Sequence, residues 1–132
     1  MSIEANLISY LLLESGISAL VSNRIYPEKL PAQTTAQPTS FPAITCLLVD
    51  EPVMTTYTND QWFKARIQID AWGSSYKSAH TVADAIHTAL QGFRGNLGDN
   101  KVGGVFRQRR NDASEPDIEL MRVSQDYMIN YS

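Results

Sequence analysis

His80, Asp84 and His87 stand at positions i, i+4 and i+7, so one face of a helix would present two imidazoles and a carboxylate. That set is the chain's best approach to a metal centre, and it carries one reading of the protein, a facultative metal-dependent hydrolase. The set falls short of the four ligands of a closed tetrahedral site, has no cysteine beside it, and lies largely away from the helix's apolar stripe. A solvated helix face is therefore expected. Gly73-Ser74-Ser75 lacks the second glycine of a Gly-x-Ser-x-Gly nucleophile elbow and reads as a helix start. The glycines between Gly92 and Gly104 form neither a phosphate-binding loop nor a dinucleotide fingerprint, and read as turn residues. Cys46 lies between Ile44 and Leu48 in an apolar run, the setting of a packed thiol rather than a nucleophile. As the lone cysteine it makes no internal disulfide, which fits a reducing compartment. No catalytic residues, no metal and no cofactor are expected, and the chain reads as a non-enzyme.

Charge narrows the partners. With 11 basic and 14 acidic residues the net charge is −3, too little positive field to drive binding to phosphate backbones or anionic lipid. Arg107, Arg109 and Arg110 are the only basic cluster, and Asp112, Glu115, Asp117 and Glu119 follow closely. A charge-paired hairpin or a subunit contact is expected there, not a strip for DNA. No apolar stretch approaches the ~20 residues of a membrane helix, and Glu4 stands where a signal peptide would carry Lys or Arg. A cytosolic protein with no membrane partner is expected.

These residues must be positioned by one domain, since 132 residues with 43% apolar and 19% charged suit a single globular core over 1–132. Ile3, Leu7, Ile8, Leu11 and Leu12 recur at helical spacing, and Gly16 precedes a second apolar turn over 17–21. Arg24, Ile25 and Tyr26 allow a brief strand that Pro27 ends. Two long loops follow, 27–42 and 52–61, which flank an apolar strand over 43–50. Their Pro31, Pro38, Met54 and Tyr57 are candidate partner contacts, because irregular connections of such length are uncommon in compact domains unless they serve a function. Strict alternation from 62 to 71 places Phe63, Ala65, Ile67, Ile69 and Ala71 on one face and Trp62, Lys64, Arg66, Gln68 and Asp70 on the other. The two strands read as an antiparallel hairpin with a long tip. A helix from Ser74 or Ser75 to about Gln91 should bury Tyr76, Ala79, Val82, Ala83, Ile86 and Leu90 on the sheet. A strand over 102–109, a polar turn over 111–117 and a final strand over 122–131 complete the chain. The fold expected is α+β: a mainly antiparallel four- to five-stranded sheet on one long helix, with a short N-terminal helix.

One helix covers one face of such a sheet. Thr45, Leu47, Val49, Trp62, Trp72 and the Tyr127/Tyr131 side need other cover, from the N-terminal helix or from a subunit contact. Trp62, Lys64, Arg66, Gln68 and Asp70, with Arg107, Arg109 and Arg110, are the candidate subunit-interface residues.

The order of elements carries a resemblance. Arg24-Ile25-Tyr26-Pro27, then Pro42-Ala43-Ile44, then Ile67-Gln68-Ile69-Asp70-Ala71-Trp72 and Asp126-Tyr127 follow one another over nearly the whole chain. In this order and spacing the sequence resembles the siphophage tail-completion family, also called tail terminator or tail-to-head joining proteins. The resemblance implies a non-enzymatic homohexameric ring that ends tail-tube growth and docks the tail to head-side connector proteins. The ring would be assembled in the host cytoplasm and leave a lumen through which DNA passes. A different class, a small α+β ligand- or peptide-binding module, would instead place a pocket between helix and sheet, where the apolar residues look sufficient to fill the space.

Overall fold

The computed structural model describes residues 3–27, 42–55, 61–115 and 120–132. Pro31, Pro38 and Tyr57, with most of the two long loops, lie outside the described residues. Helix α1 (Ile3–Leu13) and helix α2 (Ser15–Val21) come first, followed by β1 (Ile25–Pro27), β2 (Ala43–Asp50), β3 (Val53–Thr55) and β4 (Gln61–Gly73). Helix α3 (Tyr76–Leu90) then leads to β5 (Gly95–Leu97), β6 (Asn100–Glu115) and β7 (Leu120–Tyr131). The sheet order is β1-β2-β4-β7-β6-β5, with β3 pairing the start of β4 beyond the end of β2. All ladders are antiparallel except β1 on β2. The fold is thus mixed α/β, with seven strands among the described residues rather than four or five, and two N-terminal helices rather than one.

Alternation in β4 sets the layers. Ala65, Ile67, Ile69 and Ala71 are fully buried and meet Ala79, Val82, Ala83, Ile86 and Leu90 of α3 in one apolar cluster. Ile44 and Cys46 of β2 and Val123, Tyr127 and Ile129 of β7 join the same cluster. Tyr127 and Tyr131 therefore lie beneath the helices, not on the uncovered face. Ile3, Leu7 and Leu11 of α1 and Ile17 and Val21 of α2 also enter this core, so all three helices cover one face. Because α1 touches β1 and β2 as well as β5, at opposite margins of the sheet, the sheet curls round the helices. Cover for the other face by the N-terminal helix, one of the two expectations, is not what this chain adopts.

Local chemistry explains the ends. Ser75 caps α3, its hydroxyl accepting from the Ser78 amide at 3.2 Å. Tyr76 at the first turn is exposed rather than buried, its ring turned outward and tilted against the His80 ring at a 4.0 Å centroid distance. Leu12 is likewise exposed, on the outer side of α1. The expected turn over 111–117 is still strand as far as Glu115. Gly98 turns β5 into β6 at φ +59°, where a Cβ would sit 2.6 Å from Asn6 Oδ1. The tight contact lets buried Asn6 donate to Asp99 at 3.0 Å, joining α1 to this turn.

Candidate functional site

The helix-free face is a grid of side chains fixed by the register of β2, β4, β7 and β6. One row reads Thr45, Asp70, Ser124, Asn111; the next Leu47, Gln68, Asp126, Arg109; the next Asp50, Arg66, Met128, Phe106. Two carboxylates in the middle are nearly buried, Asp70 at 8% and Asp126 at 7% exposure. Each is satisfied by neighbours on the sheet itself. Asp70 accepts from Ser124 Oγ at 2.6 Å and from Gln68 Nε2 at 3.1 Å. Asp126 accepts from Arg66 at 3.0 Å and lies 4.0 Å from Arg109 Nε. Trp72 donates to Thr45 at 3.0 Å and carries the Arg122 guanidinium 5.4 Å above its ring. Beside them lies a polar concavity of about 460 Å³, lined by Gln68, Arg109, Arg122, Ser124 and Asp126 among others. Leu47, Val49 and Phe106 are exposed around it, and the Phe106 ring lies over Gly104.

Five candidate residues, Trp62, Lys64, Arg66, Gln68 and Asp70, are brought together on this face. The three arginines are separated. The register of β6 on β7 shifts between Arg107 and Arg109, so Gln108 is an extra residue in a bulge. Arg107 and Arg110 consequently face α3, opposite Tyr127 and Gln125, and only Arg109 faces the helix-free side, opposite Asp126. Strict alternation in the sequence gives no sign of the bulge. Met54 lies in β3 opposite Trp62. Ser124, which donates to Asp70, and Asp126, which pairs with Arg66, alternate onto the same face of the last strand, but the sequence does not show them as partners of these candidates.

Under α3 the polar residues form a clasp. Fully buried Gln125 donates to the Ala83 carbonyl at 3.1 Å and accepts from Arg107 at 3.0 Å and from Tyr127 Oη at 3.3 Å. Tyr127 Oη lies 3.4 Å from His87 Nδ1, and burial holds its phenol well above the ordinary range. Burial, then Arg107 and Arg110, push His87 below the ordinary imidazole value. His80 sits 3.2 Å from Asp112, and Arg110 bridges Asp84 at 3.2 Å and His80 Nδ1. The proposed metal face is thus occupied by a guanidinium, which a metal cation would have to displace. No group of three or more His, Cys, Asp or Glu among the described residues is placed to hold a metal ion. Cys46 is buried, and desolvation, then Asp70, push its thiol up to about 12, so almost none is thiolate at neutral pH. No helix among the described residues is long and apolar enough to cross a membrane.

The fold and its two polar networks define an α/β scaffold whose charged residues pair with one another across elements. Residues 5–132 match the family described as Tail completion protein gp17, and the chain belongs to that family. It is accordingly a structural protein of a phage-type tail. Among solved structures, a chain titled "Virion of native gene transfer agent (GTA) particle" is similar with a TM-score of 0.75 and 16% identity over 98% of this chain and 94% of that one, showing a shared fold. No curated protein sequence matches.

Proposed function

We propose that the protein is one subunit of a ring, a homohexamer by the family resemblance, that ends tail-tube growth and joins the tail to head-side connector proteins. DNA passes through its lumen and is not otherwise bound. The ring is assembled in the host cytoplasm and retained in the virion tail. The helix-free sheet face supports this reading: it spans four strands, carries Trp62, Lys64, Arg66, Gln68, Asp70 and Arg109, and exposes Leu47, Val49 and Phe106 to solvent. A mixed polar and apolar surface of this kind suits contact with a rotated copy. The proposed partner contacts, Pro31, Pro38 and Tyr57 of the two loops and Met54 of β3, would reach the tube or the connector. Negative-stain microscopy of concentrated protein, alone and with tail tubes, tests the proposal. Rings or capped tube ends are expected. A strictly monomeric mass at high concentration together with bare tube ends would overturn it.

A further inference from the structure

One margin of the sheet ends on an open strand. Strand β6 is held along one side by β7 from Val102 to Glu115, but on its other side β5 reaches only Asn100 to Val102. The exit of α3 takes the next stretch, where the Gly92 amide donates to the Val105 carbonyl at 2.9 Å and the Arg107 amide to Gln91 Oε1 at 3.0 Å. Over 108–115, about 26 Å of strand, no strand pairs with that outer side among the described residues. Gln108, Arg109, Asn111 and Asp112 are exposed along it. An edge of this length is a ready template for another strand.

Charge decides which strand fits. Charged residues usually keep an edge from pairing, but here they run from basic to acidic, Arg109 and Arg110 and then Asp112. The register on β7 puts Arg110 and Asp112 on the α3 side, opposite Gln125 and Val123, with Asn111 between them on the helix-free side, opposite Ser124. A second copy laid antiparallel, with Asn111 on the two-fold axis, sets each Arg110 against the other copy's Asp112 and each Arg109 against Ala113. A slip that centres Arg110 or Asp112 instead brings like charges together. Arg110 gives one bond to Asp84 and one to His80, which leaves further donors of its guanidinium, and the Asp112 side chain is 43% exposed. Arg109 takes no part, because Asn111, with its amide oxygen turned to the guanidinium, accepts from it at 2.8 Å. The geometry points to an antiparallel two-fold dimer of this chain, joined β6 to β6 about Asn111, as its form before assembly. Contacts within a cyclic ring are head-to-tail, so this contact goes beyond the ring reading and parts before a ring forms. Only that order of events rests on the ring reading.

Sedimentation of the full chain without tail tubes provides the test, and a dimer is expected. Arg110→Asp and Asp112→Arg each set like charges face to face, and each alone is expected to dimerise about tenfold less tightly. Mixing the two variants should restore the dimer, since one chain then brings carboxylates to the contact and the other guanidiniums. Where Arg110→Asp lowers the melting temperature, Asn111→Cys serves instead and should form an interchain disulfide across the axis, which the buried Cys46 of the parent does not supply. Ala113→Cys, at least about 13 Å from its counterpart in this register, should stay unlinked. A parent chain that is monomeric, or that forms only rings, would overturn the inference and leave the ring reading to its own test. A dimer that the variants leave unchanged, or whose Asn111→Cys chains do not link, would overturn it as well. Bare tube ends beside a dimer that behaves as expected would sink the ring reading alone.

Discussion

The two faces of the sheet bury polar groups in opposite ways. Beneath the helices, Gln125 is fully buried among Tyr127, Ile129 and α3, and its partners come from three elements: Ala83 of α3, Arg107 of β6 and Tyr127 of β7. On the helix-free face Asp70 and Asp126 are nearly as buried, yet their partners Gln68, Ser124, Arg66 and Arg109 all stand on the sheet. The first arrangement fixes a helix to the sheet, and a lost partner strands a group that water cannot reach. The second fixes only side chains, and water reaches Arg66 and Arg109, whose side chains are 44% and 65% exposed. Burial of a polar group thus serves docking on one face and surface shape on the other.

The largest expected difference between the faces comes from one strand. Ile67→Asp places an unpaired carboxylate in the fully buried layer under α3, at a cost of several kcal/mol against a total stability of about 5 to 15 kcal/mol, so the chain should fail to fold. Lys64→Ala, three residues earlier on the other face, should shift stability by about 0.5 kcal/mol or less. Circular dichroism melts of the two variants check both. Similar melting for the pair would mean that the faces are not energetically distinct.

Within the covered face the next effect is smaller. Gln125→Leu has similar bulk but removes the acceptor for Arg107 and Tyr127 and the donor to Ala83, leaving buried groups unpaired at a cost of about 1 to 3 kcal/mol. Urea unfolding should show a lower midpoint with an unchanged slope. An unchanged midpoint would show that the clasp does not hold α3.

How these differences read from sequence depends on which force sets them. The period-two pattern of 62–71 gave the two faces of β4 correctly because burial of Ala65, Ile67, Ile69 and Ala71 is a strong, repeating signal. A helix cap at Ser74 or Ser75, which the structure resolves to Ser75, and the stripe from Ala79 to Leu90 are legible for the same local reasons. Helical spacing alone cannot tell a buried Tyr76 ring from one turned outward against His80. The short strands β3 and β5 carry too few residues for a period, whereas the brief strand expected at Arg24, Ile25 and Tyr26 is present as β1, paired with β2. The bulge at Gln108, which divides the three arginines between the faces, follows from the fit of β6 to β7 rather than from any residue type. The clasp of α3, β6 and β7 is a long-range event of that same kind, and the uncovered face is fixed only by α1 and α2 joining α3.

The smallest effect expected separates the covered face by pH. His87 faces Tyr127 from β7, Arg107 and Arg110 from β6 and Asp84 on its own helix, and burial with the two arginines lowers it from the ordinary value of 6.5 while Asp84 opposes them. Its folded-state value therefore lies below its unfolded one. As pH falls through 6.5 the unfolded chain takes up the proton first, so the unfolded state gains and stability declines until pH passes the lowered folded value. Above 6.5 the contribution of neutral His87 is fully present. Melting temperature should accordingly drop between about pH 7 and pH 5 in the parent chain, and the drop should be shallower in His87→Gln, which cannot take up that proton. Asp126→Asn, on the other face, should leave this part of the profile unchanged, because Asp126 pairs with Arg66 and Arg109 rather than with His87. A parent profile that is flat, or one that falls equally in His87→Gln, would show that burial and the two arginines do not disfavour a protonated imidazole and that the two faces respond to acid alike.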